Sequence, residues 1–562
     1  MDMTGIILIV VILILLIVSG IRMSKEESEK ITSFIRDSFG KASRRKLTEA
    51  RKESLKVNLG KYLSSKKEGD FLDELTWSDT GMEDIFLQID NCLCSAGEEC
   101  LYRQLHDLSG SSEDIEHTDK VITELYDKES LRISLGKALH ELGYVKDRSL
   151  PEYLDKILST KRILNPFFHI ICDICYILAI VLTCFKPVAG VVFIFAIILL
   201  QVSSYFSFKR KADECLSGFS MIMGLASMGK VLPPADESET GKLIGELSDE
   251  LKKIRLKTTF SALVINSGSN ATGGIFSMLF TYINLLFHFD LIAAQILLGK
   301  IGASKDTILK AYEQTGFLDM CLAISSYRAF LENKGGFCRP GFTENASVSI
   351  KEGFNPLLDS PVPNDVRNDG GILITGSNAS GKSTYMRMVA VNAILAQTIS
   401  TCPAKEYKGS LFAIYSSIAV NDSILKGDSY FMAEIKSLKR IVDASDKSEK
   451  PVICFIDEIF KGTNTAERIA AADAVLHYLR DRKVLVFAAT HDHELTTLAA
   501  DYYENVHFSE KIEGDDVLFT YKLEKGPSVS TNAIALLRKN GFPEEVIAKS
   551  EKLCASLDAK AL

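Results

Sequence analysis

Residues 372–384, Ile372-Leu373-Ile374-Thr375-Gly376-Ser377-Asn378-Ala379-Ser380-Gly381-Lys382-Ser383-Thr384, decide how the chain is read. An apolar β-branched run leads into the spacing GxxxxGK[ST], and a helix-forming stretch follows from Thr384 to Thr398. Strand, loop and helix in that order are the context in which this spacing forms a phosphate loop. The glycines let successive backbone N–H groups wrap phosphate oxygens, and the helix N-terminus adds a favourable dipole. Lys382 is placed to reach β and γ oxygens, and the Ser383 hydroxyl to ligate Mg2+. Gly376, Ser377, Asn378, Ala379, Ser380, Gly381, Lys382, Ser383 and Thr384 are therefore the predicted nucleotide-binding residues. ATP and Mg2+ are the expected cofactors.

Two further strands in the sequence carry residues that fit the same site. Val452-Ile453-Cys454-Phe455-Ile456 has the pattern of a buried strand and ends in Asp457-Glu458. An acid at this strand end holds Mg2+ in phosphate-loop ATPases, which makes Asp457 a metal residue beside Ser383. Glu458, the next residue, is the candidate general base for an attacking water. Val484–Ala488 leads to Thr490-His491, where a histidine at a strand end can sense the γ-phosphate or orient the water. From about 341 onward, short β-branched runs (GGILITG, PVICFID, KVLVFAAT) alternate with helical stretches. This predicts a parallel sheet with crossover helices. Before it, residues 71–160 and 212–340 read as helical, with apolar positions at i, i+3 and i+4.

The N-terminal half carries apolar runs of another kind. Gly5–Ile21 is an almost uninterrupted apolar run, preceded by no lysine or arginine and followed by Arg22, Lys25 and Lys30. That charge order predicts an anchor with the N-terminus outside and the rest of the chain in the cytoplasm. Pro166–Phe208 has room for two spans broken at Lys186-Pro187, with Lys161 and Arg162 before it and Lys209, Arg210 and Lys211 after it. It reads as a transmembrane hairpin, so three spans are expected in a multi-pass protein of the cell membrane. Within the hairpin, His169 and Asp173 stand one helical turn apart, either as a proton relay or as ordinary polar groups near the aqueous end. A third apolar stretch, Gly273–Leu298, contains Asn284, His288 and Asp290 and is read as a buried helix of the soluble core.

Composition bounds the remainder. Over 562 residues the chain is 46% hydrophobic and 25% charged with a net charge of −8, which excludes a disordered or fibrous protein and a strongly basic one. Twelve cysteines lack metal-ligand spacing, Cys92/Cys94 and Cys172/Cys175 coming nearest, and are read as packing thiols of a reducing compartment. Lys41–Lys67 holds ten basic residues against Glu49 and Glu53, a juxtamembrane cluster suited to anionic lipid headgroups or, alternatively, DNA phosphates. The expected organisation is an anchor at 1–22, a basic linker at 23–70, a helical core at 71–340 interrupted by the hairpin at 166–208, and an ATPase domain at 341–562.

ITGSNASGKSTYMR, DSYFMAEI, FIDEIFKGTNTAE and FAATHDHEL resemble, in this order, the motifs of the MutS family of DNA mismatch repair ATPases, relatives of the ABC ATPases. KGPSVSTNAIALLRKNGFPEEVIAKSEKL resembles that family's C-terminal helical dimerisation element. SAGEECLYRQLHDL resembles the start of its helical core, and LDELTWSDTGMEDIF resembles a membrane-associated subgroup. The resemblance implies an α/β phosphate-loop ATPase domain following an all-α core, and a homodimer with composite ATP sites. Lys382, Ser383, Asp457, Glu458 and His491 would form one half of a site. Ser429, in Asp428-Ser429-Tyr430-Phe431-Met432, would reach the nucleotide of the second subunit. Gly462-Thr463-Asn464-Thr465 would lie at the dimer interface, and Asn364 would lie near the base. This chain has Pro361 where the family usually has an aromatic residue stacking on adenine.

The departures from the family bear on its substrate. Mismatch-finding members carry an N-terminal domain with a Phe-x-Glu wedge, and here an anchor and a basic linker occupy that space. Phe330-Leu331-Glu332, Phe342-Thr343-Glu344 and Phe508-Ser509-Glu510 fall in the core or the ATPase domain instead. The stretch before the phosphate loop is short for lever, DNA clamp and hairpin together. Two readings stay open: a membrane-anchored MutS-like ATPase that binds mismatched or branched DNA, and a MutS-derived ATPase that acts on a membrane partner without DNA. An ABC-type transporter ranks last, because DSYFMAEI lacks the LSGGQ signature.

Overall fold

The computed structural model describes residues 22, 25–43, 45–144, 148–159, 166–266, 282–377, 380–418, 430–460, 463–513, 516–528, 534, 537–538 and 540–561. Among the described residues the α/β part has ten strands: β1 Pro340–Phe342, β2 Val348–Gly353, β3 Asn364–Asn368, β4 Gly371–Thr375, β5 Glu406–Gly409, β6 Ala413–Ser417, β7 Val452–Asp457, β8 Leu485–Ala489, β9 Glu504–Glu513 and β10 Asp516–Lys525. Six of them form one sheet in the order β10-β9-β4-β8-β7-β6, parallel except for β10. All five residues of β4, β6 and β8 are buried, as expected for strands covered by crossover helices on both faces. The smaller sheet runs β1-β5-β2-β3. The helix Lys382–Ile399 follows β4 and is buried along nearly its whole length.

That helix is buried because it lies between the sheet and the helical core. Gln104 donates to the Thr398 carbonyl, and Arg328, 1% exposed, donates to the Ser400 carbonyl and the Thr401 hydroxyl just past the helix end. Ser400 sits at φ 50°, so a left-handed residue ends the helix. One hydrophobic cluster runs from Trp77 and Leu101 through Leu318 and Ile324 to Ile394 and Phe487, joining the two parts.

The basic run Lys41–Lys67 packs against the core through Arg51 and Leu55. It contains the helix Glu49–Leu63, with Leu55 buried and Arg51 ion-paired to Glu98 and Glu99. Arg45 reaches Glu98, Lys61 reaches Asp155, Lys66 reaches Asp107 and Lys67 reaches Glu449. Acids from elsewhere in the chain thus pair with Arg45, Arg51, Lys61, Lys66 and Lys67, while Lys41, Lys46, Lys56, Lys61 and Lys67 remain exposed to solvent.

The apolar hairpin forms two helices, Pro166–Phe185 and Pro187–Met228, meeting at Lys186. Ile171, Ile177, Leu178, Phe185, Val188, Val192, Phe195 and Leu199 are all exposed, an apolar band far larger than scattered surface residues produce. Among the described residues one stretch, Pro187–Phe208, is long and apolar enough to cross a membrane, with mean hydropathy 2.2 over 22 residues. Among the described residues that is one candidate span, where three were expected over the whole chain. The first arm offers only the shorter apolar stretch Ile170–Phe185, bounded by polar His169 and by Lys186-Pro187. The anchor at 1–22 lies outside the described residues except for Arg22. Asp173 accepts from the Gln201 amide at 3.1 Å, and the side chain of His169 lies outside the description.

The second arm does not stop at the apolar band. It continues as one helix whose last turns, Phe219, Ile222, Leu225 and Met228, are buried in the helical core. Forty-two residues at 1.5 Å each make a rod about 63 Å long. From the third apolar stretch, the described part breaks at His288 (φ 55°) into residues 282–287 and the helix Phe289–Gly302. Asn284, His288 and Asp290 are buried as anticipated, with Asp290 accepting from Tyr205 of the rod at 3.1 Å.

His106 gives the core a pH signature. Its ring stacks on Trp77 at 3.7 Å, and burial lowers its pKa to about 4. The folded chain therefore holds it neutral while the unfolded chain takes up a proton below the ordinary value of 6.5. This term leaves stability unchanged above that value and removes it as pH falls from 6.5 towards 4, about 2 kcal/mol by pH 5. His106→Phe, which keeps a ring on Trp77, is expected to show that much less loss between pH 7.5 and 5 in denaturant unfolding. Identical pH dependence in the two proteins would refute the assignment.

Candidate nucleotide site

The loop between β4 and the helix Lys382–Ile399 turns through two left-handed glycines, Gly376 at φ 140° and Gly381 at φ 105°. A Cβ on Gly376 would lie 2.8 Å from Ser380 Oγ, so both backbone angle and space require glycine there. Lys382 is 4% exposed, and its ammonium donates to the carbonyls of Gly376 at 2.7 Å and Ser377 at 2.9 Å. The lysine is thus held across its own loop. Ser377 donates to Glu510 of β9, and Ser380 Oγ to the Ser377 carbonyl. Asn378 and Ala379 lie outside the described residues.

Asp457 ends β7, one strand removed from β4, and its Oδ2 accepts from Ser383 Oγ at 2.5 Å. Burial, with Glu458 adding repulsion, raises the Asp457 pKa above the usual carboxylate range. A hydroxyl and a carboxylate converging on one point are hard oxygen donors suited to Mg2+, whose charge would offset the burial that now disfavours ionisation. The predicted metal residues therefore fit the ion.

Glu458 occupies the left-handed region at φ 53° without being glycine, and its N–H is tied to the Ala489 carbonyl at 3.0 Å. Such a conformation persists only where the surroundings impose it. It turns the carboxylate towards His491, whose Nε2 lies 3.0 Å from Glu458 Oε1 and 3.3 Å from Lys382 Nζ. A carboxylate has no proton to give, so Nε2–H donates to Glu458 and the lysine is a neighbour without a shared proton. The residue after His491 is anchored from a neighbouring helix. Arg468, on the helix Thr465–Asp481, makes a bidentate pair with Asp492 at 2.9 and 2.7 Å. Glu458, Thr490, His491, Asp492 and Arg468 line one recess of about 180 Å³. Sequence reasoning missed Arg468, since an arginine in an exposed helical turn carries no signal of its partner.

On the other side of Lys382 a cavity of about 480 Å³ is lined by Pro361, Val362, Asn364, Gly381–Tyr385, Phe508 and Tyr521. Tyr521 sits at φ 52° where the β9–β10 register shifts, with Cδ1 3.3 Å from the position a Gly381 Cβ would take. Its half-exposed ring lines the same cavity as Pro361. Nothing in the sequence marked this tyrosine, because the bulge that turns it inward is a property of strand pairing. Asn364 shapes the same wall: Nδ2 donates to the Tyr521 carbonyl at 2.9 Å, and Oδ1 accepts from the Leu523 N–H at 3.0 Å. Its amide thus fixes the strand that carries the ring.

Of the residues expected between subunits, Ser429 and Gly462 lie outside the described residues. Asn464 caps the helix Thr465–Asp481, accepting from the Glu467 N–H, and Thr463 donates to the Glu467 carboxylate. The C-terminal helix Glu544–Ala561 exposes Val546 and Leu553, with Phe542 just before it.

Residues 372–558, which include Lys382, Ser383, Asp457, Glu458, His491 and Tyr521, match the family model of MutS domain V. Over 246 residues the chain is 34% identical to the DNA mismatch repair protein MutS of Lactobacillus acidophilus, covering 41% of this chain and 28% of that protein. It is 35% identical over 253 residues to the MutS of Sorangium cellulosum, covering 42% and 27%. The DNA mismatch repair protein MSH3 of Phaeosphaeria nodorum is 32% identical over 278 residues, covering 47% and 24%. The chain spans less than a third of the length of these relatives. Its C-terminal part carries a MutS domain V, a phosphate-loop ATPase domain.

Proposed function

We propose that the protein is a MutS-type ATPase that binds Mg·ATP at the site described and hydrolyses it as a homodimer. The observation that carries this reading is the convergence of Ser383 and Asp457 beside a Glu458–His491 pair, all reached by one phosphate loop. Backbone N–H groups of 376–381 and Lys382 grip the phosphates. Ser383 and Asp457 hold Mg2+, which supplies charge neutralisation of the phosphate oxygens. Glu458 accepts a proton from the attacking water, and His491 orients Glu458 and reads the γ-phosphate. Tyr521 and Asn364 bound the base. Ser429 of each subunit completes the other subunit's site.

The named relatives are DNA mismatch repair proteins, and mismatched or branched DNA is the partner proposed first. The hairpin seats the protein in the cell membrane with the ATPase domain in the cytoplasm, as a membrane-associated relative of the family. One observation favours the second reading, a membrane partner without DNA: the rod Pro187–Met228 joins the apolar band directly to the core that grips the Lys382–Ile399 helix.

ATP turnover of the detergent-purified protein, measured at physiological salt with no DNA, matched duplex, mismatched duplex and branched DNA, separates the two. The first reading expects stimulation by DNA above the basal rate. A flat response to every DNA, with turnover rising on reconstitution into anionic lipid, would replace it with the second.

A further inference from the structure

The short helix Glu74–Thr80 belongs to the helical core, yet its polar residues end up inside the contact with the ATPase domain. Asp79 is 1% exposed. Its Oδ2 accepts from Ser416 Oγ at 2.7 Å and from the Ile418 N–H at 2.8 Å. Thr76 Oγ1 accepts from the Ser416 N–H at 3.2 Å. β6 is the edge of the six-stranded sheet, so these bonds satisfy donors that no further strand could take.

The same helix touches two more elements of the site. The Asp79 carbonyl accepts from Arg387 Nε at 2.8 Å, on the helix that begins with Lys382 and Ser383. Arg440, on the helix Tyr430–Lys447, pairs with Asp73 and donates to the Ser416 carbonyl. On the sheet side, Ser417 of β6 is in register with Ile456, the residue before Asp457. Two turns of core helix therefore bind the strand beside Asp457 and the helix bearing Ser383, the two sides of the Ser383–Asp457 contact.

We infer that Asp79 is a positioning residue for ATP hydrolysis: it sets where the Asp457–Glu458 strand end stands relative to the phosphate-loop helix, and so ties turnover to the placement of the helical core. A buried carboxylate is a poor choice for mere adhesion, since desolvation costs as much as such a contact returns. Here its Oδ2 is spent on Ser416 of β6 and on Ile418 just past it, beside the strand that ends in Asp457, where a shift of about 1 Å misplaces a catalytic group and can cost roughly a hundredfold in rate. The inference rests on the hydrolytic reading proposed above.

The test is steady-state ATP turnover of the full chain in detergent, comparing the unaltered protein, Asp79→Ala, Asp79→Asn and Ser416→Ala, with Lys382→Ala as the blank. Asp79→Ala is expected to lower kcat about tenfold or more while KM for ATP stays within about twofold, because the phosphate grip at 376–384 is untouched. Asp79→Asn keeps an oxygen facing both donors and is expected to restore kcat to within about threefold. Ser416→Ala removes one of the two bonds and should fall between. Unchanged kcat in folded Asp79→Ala, or an Asn variant no better than Ala, overturns the inference and leaves an ordinary adhesive contact. Should Asp79→Ala fail to fold, unchanged kcat in Ser416→Ala overturns it alone. Failure of the hydrolytic reading shows elsewhere, as an unaltered protein no faster than the Lys382→Ala blank.

Discussion

Glu458→Gln is expected to bind ATP as tightly as the unaltered chain and to turn it over about 10²–10⁴-fold more slowly. The substitution keeps size, the left-handed backbone at φ 53° and an oxygen that can accept from His491 Nε2. It removes only basicity. Ser383, Asp457 and Lys382 retain their contacts, so nucleotide affinity has no reason to fall. Single-turnover hydrolysis beside equilibrium ATP binding checks both halves. Normal turnover would remove Glu458 as the base; lost binding would mean that the strained residue supports the loop rather than the chemistry.

That strain marks the division between what the sequence made legible and what it did not. The phosphate loop, the acids after β7 and the histidine after β8 are short-range patterns, each residue's role following from its place at a strand end. The structure pairs Ser383 with Asp457 and His491 with Glu458, and sets Lys382 beside the histidine. Contacts made through long-range pairing were invisible. Tyr521 lines the cavity beside Lys382 only because the β9–β10 register slips, and Arg468 matters only because a distant turn carries Asp492. Asp79 is a helix residue in sequence and a buried anchor for β6 in space.

The basic run at Lys41–Lys67 gains its acidic partners in the same long-range way. Charge clustering in sequence counts cations without their partners, and Glu98, Glu99, Asp107, Asp155 and Glu449 all come from elsewhere in the chain. The hairpin shows the converse. Its apolar character is local and was legible, whereas the rod's entry into the core depends on burial of Phe219–Met228 against helices distant in sequence.

Lys382→Ala carries the other large effect, and it acts on binding. The Lys382 ammonium donates to two loop carbonyls, contacts that phosphate oxygens would replace on binding. Its charge-assisted bonds to phosphate oxygens are worth about 1.5–3 kcal/mol, so ATP affinity is expected to fall about 10–150-fold. Removing the amine also leaves the Gly376 and Ser377 carbonyls without this donor in a buried place, so the alanine variant loses some stability even without ATP. Thermal unfolding with and without Mg·ATP separates the two consequences. For the unaltered chain, ATP at about a hundred times its Kd adds about 2.7 kcal/mol of stability through linkage, and the variant should gain about 0.3–1.4 kcal/mol at the same concentration. A variant that starts lower but gains as much from ATP has lost a structural prop only, and the phosphate grip would then belong to the backbone N–H groups of the loop. A variant that starts level and gains nothing would place the whole role of Lys382 in nucleotide binding.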